Sequence, residues 1–417
     1  MRKESSLLLV AVIAAACTNT TAVSNAPGAS PSPPPTQTPN LSATPTRPAP
    51  IESPDVSLAP VPASTLTIRW NAGDPTGIGA VSSLVGVARS NDAYVLIAEL
   101  PYREEGSAFA AWSSADGRAW KMAQEFPVGD RILALTTGGP GFVVSGFGNT
   151  GASVWTSVDG QAWHPVSDAS LQHAVINELV PTASGIVGFG WRSDSDARAI
   201  WTSADGIEWL AATNETGRTV ARGLQAIGAY EGRAVAFVDE GDTKGLAIWE
   251  TTGRAEWTRT GVLKDATTMA VVAGGARGWV ALDSKMAWTS PDGRAWSKAV
   301  PGPDVVSDVI VDDAGFVAVG FVGSLPGETC GDQRPFAGHT WTSADGRVWQ
   351  RTPVSQEFKA AMVTRLMVVD RTLIGYGHRL SGGSEEMPVA RWTAALPEVT
   401  KSADASDKGS VPKTCGG

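Results

Sequence analysis

WTSADGIEW, residues 201–209, is one of five near-identical nine-residue phrases in the chain. The others are WSSADGRAW (112–120), WTSVDGQAW (155–163), WTSPDGRAW (288–296) and WTSADGRVW (341–349). A sixth, WETTGRAEW (249–257), keeps both tryptophans and lacks the Ser-x-Asp-Gly turn. The leading Trp returns at steps of roughly 39 to 53 residues, the length of one four-stranded propeller blade.

Each phrase reads as a hairpin. An apolar stretch enters, Ser-x-Asp-Gly turns the chain, and a second strand leaves with the closing Trp. Pro291 in Ser290-Pro291-Asp292-Gly293 identifies the turn, because a φ near −65° at its second position suits type I and excludes the primed types. Gly293 then supplies the left-handed residue of a bulged hairpin. Asp and Ser bond nearby backbone N–H groups in such turns, so Asp116, Asp159, Asp205, Asp292 and Asp345 are assigned to turn structure rather than to a ligand or metal.

Upstream of the hairpins lies a Gly-led apolar strand: GFVVSG (141–146), GIVGFG (185–190), GWVALD (278–283), GFVAVG (315–320) and the looser TLIGYG (372–377). Another short apolar strand precedes it, as at 132–135, 177–180 and 305–311. Lettered from the axis outward, each repeat gives strand A, strand B, then the C–D hairpin. Many short strands with turn signals and no convincing amphipathic helix predict an all-β chain.

Tryptophans count the blades. Strand C carries Trp112, Trp155, Trp201, Trp249, Trp288, Trp341 and Trp392; the first six have a D-strand partner and Trp392 has none downstream. The missing partner is Trp70, at the end of a strand predicted over 65–70. The expectation is therefore a seven-bladed β-propeller of four-stranded antiparallel blades over 65–398, whose last blade the N-terminal strand completes, leaving no open edge. Trp279 falls in a strand-B core position; Trp191 is the tryptophan this count does not absorb.

Residues 1–16 read as a signal peptide: Arg2 and Lys3, an apolar run over 7–16, then Ala14-Ala15-Ala16-Cys17. Small residues directly before Cys17 resemble the bacterial lipobox, which implies cleavage there and lipidation of Cys17; ordinary signal cleavage nearby is the alternative. Residues 17–64 hold 12 of the 27 prolines among Ser and Thr and are expected to be a disordered tether; 399–417 is a polar tail. The expected location is extracytoplasmic, lipid-anchored to the bacterial cell envelope. The two other cysteines, Cys330 and Cys415, are expected to form a disulfide in that oxidising space, with two free thiols as the alternative. A net charge of −9 with scattered basic residues argues against nucleic acid.

The Ser-x-Asp-Gly-x-x-Trp hairpin resembles the Asp-box, or BNR, repeat of sialidases and related propellers, which usually reads Ser-x-Asp-x-Gly-x-x-Trp. All five copies here lack the residue between Asp and Gly. The resemblance spans 65–396 as an architecture. In that family the hairpins lie on the rim, away from the catalytic centre. Sialidase chemistry would imply three arginines on the substrate carboxylate, a Tyr nucleophile with a nearby Glu, and an Asp acid. The tyrosines here are Tyr94, Tyr102, Tyr230 and Tyr376, none with a recognisable Glu or Arg partner, and the family's Arg-Ile-Pro signature is absent.

Other chemistry is sparse. The four histidines, His164, His173, His339 and His378, have no metal-like spacing. Asp304, Asp308, Asp312 and Asp313 gather around strand A of blade six, either as a calcium site or, preferably, as a solvated turn. No cofactor or metal is expected. In a propeller the B–C and D–A loops share one face and the C–D hairpins lie on the other. The B–C loops vary in length, and unequal loops on a regular scaffold are where binding concentrates. Strand-B ends place Phe147, Trp191, Phe321 and His378 at the mouth of these loops, with Arg192 and Arg379 next to two of them. They form either an aromatic rim for a ligand or packing between blades. The sequence thus predicts a monomeric, non-catalytic surface lipoprotein binding a protein, peptide or glycan; a divergent glycoside hydrolase and an assembly or scaffolding factor are the alternatives.

Overall fold

The computed structural model describes residues 68–396 except 91–92, 140, 150, 242–243, 254–255, 284–285, 300–305, 323–336, 353–357, 359–360 and 380–387. The leader, the tether, Cys17, Cys330, Cys415 and the tail lie outside the described residues.

The Trp-to-Trp repeat becomes seven four-stranded antiparallel sheets. Blade three is representative, with strand A at Ala174–Thr182, B at Gly185–Arg192, C at Ala197–Ser203 and D at Leu210–Ala211. Strand B is buried along nearly its whole length, as expected for a strand covered on both faces by neighbouring blades. The apolar side chains collect in seven clusters, one per seam between adjacent blades. The seam of blades seven and one is as apolar as the rest: Ile374 and Tyr376 pack with Leu96, Trp112 and Trp120. All-β architecture, seven blades and ring closure are as the sequence predicts.

Closure differs from expectation in its boundary. The N-terminal strand is Asn71–Ala72, pairing with Thr393 and Trp392, and Trp70 stands just before it. The same offset holds elsewhere, since the D strand after Trp209 begins at Leu210 and the one after Trp296 begins at Ser297. The closing Trp is thus a plug at the hairpin's end rather than a ladder residue. Trp70 stacks on Phe358 at 5.3 Å, and its Nε1 donates to Thr340 Oγ1 of blade six at 2.9 Å.

The hairpins satisfy their own polar groups. In blade three Gly206 N donates to Ser203 Oγ at 2.8 Å, and Asp205 Oδ1 accepts from Ile207 N at 2.8 Å and Glu208 N at 3.0 Å. Trp209 Nε1 donates to Gly206 O at 3.0 Å. Gly206 has φ +79°, a left-handed conformation that glycine adopts without strain. The equivalent Gly160 shows a second reason for glycine, because a Cβ there would lie 2.4 Å from Val95 Cγ2 of the preceding blade.

Two features were not anticipated. A helix, Glu215–Gly223, links blades three and four; Asn214 caps it by accepting from Gly217 N at 2.7 Å, and Val220 and Ala221 are buried. It is too short for its apolar period to stand out in sequence. In addition, five of the seven A strands carry a bulge at one shared position: after Leu84, Ile132, Ile176, Leu224 and Val363. Opposite three of these bulges strand B has Gly146, Gly190 and Gly377, where a Cβ would sit within 1.9 Å of a strand-A carbonyl oxygen. The glycine at the end of the recurring strand-B phrase therefore marks close approach of the inner strand.

Candidate functional site

The loop face carries the six candidate residues, and the structure divides them. Phe147 in blade two and Trp191 in blade three lie on neighbouring blades and are half-buried. Between these blades is a cavity of about 510 Å³ lined by Phe147, Asn149, Gln172, His173, Val175 and Ser193, among others. Trp191 pairs with Val175 across the A–B ladder, and Arg192 directly precedes Ser193, so both flank this cavity. The Arg192 guanidinium holds Asp194 at 2.6 Å, and that hydrogen-bonded pair pushes the carboxyl below the usual range. His173 has φ +59°, and its carbonyl accepts from Ser193 N at 2.7 Å, holding together the two blade-three segments that line the cavity.

Phe321 and His378 belong to blades six and seven, across the ring from this cavity. His378 is buried, and its Nε2 accepts from Leu84 N of blade one at 3.1 Å, so it serves the seam between blades. Arg379 reaches back to Asp74, just beyond the closing strand, at 3.0 Å. The structure therefore joins Phe147, Trp191 and Arg192 around one cavity and leaves Phe321, His378 and Arg379 apart from it.

The tyrosines are placed elsewhere. Tyr376 is fully buried, and its hydroxyl donates to Gly117 O of blade one at 2.6 Å, the carbonyl that the closing Trp takes in other blades. Trp120 Nε1 has no hydrogen-bond partner among the described residues. Burial pushes the Tyr376 hydroxyl up to about 12, against the opposing charge of Arg391, which suits a packing residue and not a nucleophile. Tyr94 is buried in the same seam, Tyr102 is exposed, and Tyr230 lies in the A–B turn of blade four. Tyr230 does have a Glu partner, Glu231, but burial and then that carboxylate raise its pKa, the wrong direction for activation.

A third group was not singled out as a site. The residue aligned with the fifth position of strand B lies on the innermost strand of every blade. In blade order it is Gly86, Ala134, Glu178, Ala226, Val271, Asp308 and Arg365. Three ionisable groups thus stand at one level of the ring. Burial is the largest influence on Glu178 and raises its carboxyl to about 7, with the Arg365 charge opposing. Asp308 is also raised by burial, against Arg365 and the backbone N–H groups of Leu366 and Val309. Both residues are partly buried. Asp308 accepts from Leu366 N at 2.7 Å and Val309 N at 2.8 Å. Arg365 donates to Thr364 O at 2.8 Å and Val85 O at 3.3 Å. Beside them the hydroxyls of Ser307 and Thr364 are buried with no hydrogen-bond partner among the described residues. The acidic run around blade six is therefore divided: Asp308 belongs to the axis, Asp312 caps the A–B turn by accepting from Ala314 N at 3.1 Å, and Asp304 lies outside the described residues.

No family model and no curated protein matches this sequence. Among solved structures, a protein of unknown function from Dyadobacter fermentans DSM 18053 is similar at 14% identity and a TM-score of 0.45, over 81% of this chain and 100% of that one. A structure from a study of two prolyl endopeptidases is similar at 10% identity and a TM-score of 0.43, over 76% of this chain and 51% of that one. The chain therefore spans about half of that second structure.

Proposed function

We propose that this protein is a non-catalytic binding module. Its propeller holds a protein, peptide or glycan on the B–C loop face, and it is tethered to a bacterial envelope through lipid on Cys17. The hairpins are of the Asp-box kind in this reading, used as scaffold. The observation that carries it is the contrast between the two faces. The hairpin turns close their hydrogen bonds internally, whereas the loop face offers a cavity with Phe147, His173 and Ser193 on its walls. The burial of Tyr376 supports a non-hydrolytic role.

Membrane fractionation and glycan- or peptide-array binding test the two halves separately. Cys17→Ser is expected to release the protein from membranes or leave it uncleaved; a variant that fractionates and migrates like wild type removes the anchor. Trp191→Ala is expected to be the most damaging single change to binding, because it removes the largest apolar surface beside the cavity. Binding that survives Trp191→Ala and Arg192→Ala but fails when the C–D hairpins are altered moves the site to the other face. Turnover of sialosides abolished by Tyr376→Phe replaces this reading with a hydrolase.

A further inference from the structure

We infer that the cavity between blades two and three is a site for an uncharged sugar, a neutral pyranose unit of a glycan, held by the amides of Asn149 and Gln172 against Phe147. The inference rests on the reading of the loop face as a binding surface and selects one of its three ligand classes.

Charge comes first. The described residues lining the cavity of about 510 Å³ include no carboxylate, lysine or arginine. Arg192 flanks it, but its guanidinium is already engaged: Nε donates to Asp194 Oδ1 at 3.1 Å and Nη2 to Oδ2 at 2.6 Å. That two-bond pair is neutral as a unit. An acidic sugar or a phosphate therefore meets no free guanidinium among these residues, and an amine meets no free carboxylate. The volume lies within the range of about 300–1,000 Å³ typical of small-ligand pockets.

Hydrogen bonding then separates a glycan from a peptide. A peptide strand is held largely through open backbone N–H and C=O groups. Here the backbone around the cavity is paired with itself: Gly148 N donates to Gly151 O at 2.8 Å, Ala152 N to Leu171 O at 3.0 Å and Ser193 N to His173 O at 2.7 Å. Side chains are what stay open. Asn149, in the B–C loop of blade two, and Gln172, in the D–A connection to blade three, are exposed, and neither side chain is engaged in a hydrogen bond to another described residue. Each amide presents a carbonyl acceptor beside an NH2 donor, the complement of two neighbouring sugar hydroxyls that both donate and accept. His173 and Ser193 add an imidazole and a hydroxyl of the same dual character. Phe147, Ala174 and Val175 supply apolar lining for the C–H face of a pyranose ring.

The test is an array carrying neutral hexose and N-acetylhexosamine oligosaccharides, sialylated and uronic-acid glycans, and peptides, followed by isothermal titration of the mature full-length protein with the best neutral oligosaccharide. Neutral glycans are expected to bind, with affinity changing by less than about twofold between about 0.05 and 0.5 M sodium chloride, since no net charge is paired. Asn149→Ala and Gln172→Ala are each expected to weaken binding about three- to tenfold, the worth of one neutral hydrogen bond, at an unchanged thermal midpoint. Preference for acidic glycans, a steep loss of affinity with salt, both variants within about twofold of wild type, or no neutral glycan bound each overturns the inference. Binding of peptides alone, lost in Trp191→Ala, overturns it and leaves the loop-face reading standing. Neutral-glycan binding that survives all three substitutions and fails when the C–D hairpins are altered removes both.

Discussion

The two ends of this propeller are built from the same strands and treat polar groups in opposite ways. At the hairpin end, Ser203, Asp205, Gly206 and Trp209 close a circuit of hydrogen bonds within seven residues. In this blade the turn closes on itself, and the phrase can be copied from blade to blade. Midway along the inner strands, one register position holds a different residue in nearly every blade, and among the described residues Glu178, Ser307 and Thr364 have no hydrogen-bond partner for their side chains. Repetition marks where the ring is built; departure from repetition marks where it is free to act.

Opening the ring should produce the largest effect, because both ends depend on it. Trp70→Ala removes the plug of blade seven, its stacking on Phe358 and its bond to Thr340, and is expected to cost about 3–5 kcal/mol in chemical denaturation. Loss of less than about 1 kcal/mol would mean that the closing strand is dispensable.

The next two changes should have opposite signs. Glu178 has a folded pKa raised from 4.5 to about 7, so the folded state holds its proton more tightly than the unfolded state. Its contribution therefore turns unfavourable as pH rises from about 4.5 to 7 and stays so above. Glu178→Gln is expected to stabilise the protein at pH 8 by on the order of 2 kcal/mol, and to match wild type at pH 4. Destabilisation at pH 8 would show that Glu178 is a structural partner of Arg365 instead. At the hairpin end Gly206→Val forces a β-branched residue to positive φ and should destabilise by on the order of 1–2 kcal/mol, read as a lowered thermal midpoint. Unchanged stability with lost ligand binding would transfer function to the hairpin face.

The smallest effect belongs to the turn carboxylates. Asp116, Asp159 and Asp205 are held below 3.8, first by backbone N–H donors. A depressed folded pKa gives stability that is present above the unfolded value and lost as pH falls through the folded one. Asp205→Asn should therefore lose less than about 1 kcal/mol at pH 7 and narrow its deficit below about pH 4. A deficit that is constant with pH would show that the carboxylate charge contributes nothing to the turn.

The blade count was legible because Trp at both ends of a hairpin and Asp-Gly between them are demanded by local geometry, which sequence spacing records directly. Trp70 was legible for the same reason, although the strand expected over 65–70 lies instead at Asn71–Ala72, just after it. Glu178 and Arg365 were harder to see. Each is a single charged residue inside a short apolar strand, and its meaning comes from pairing with Phe189 or Tyr376 and from what stands across the axis. Their signal is present but faint: Asn-Glu-Leu, Ser-Asp-Val and Thr-Arg-Leu each put a charge after a small or polar residue, where other blades have Gly, Ala or Val. His378 and Arg379 misled in the other direction. Alignment put them level with Trp191, and only the seam with blade one shows that His378 serves packing.

The clasp of blade seven also sets a clock. Asn71 and Ala72 are synthesised long before Thr393 and Trp392, and no earlier part of the chain offers that pairing. At typical synthesis rates the first strand waits on the order of tens of seconds for its partner. Until then Trp70 has no Trp392 to plug, and blade one lacks the neighbour that buries Trp120 against Tyr376. The last strand of the ring to emerge thus decides whether the first one ever finds a place, and a chain truncated before Trp392 should be recognised by quality-control proteases through its first blade as much as its last.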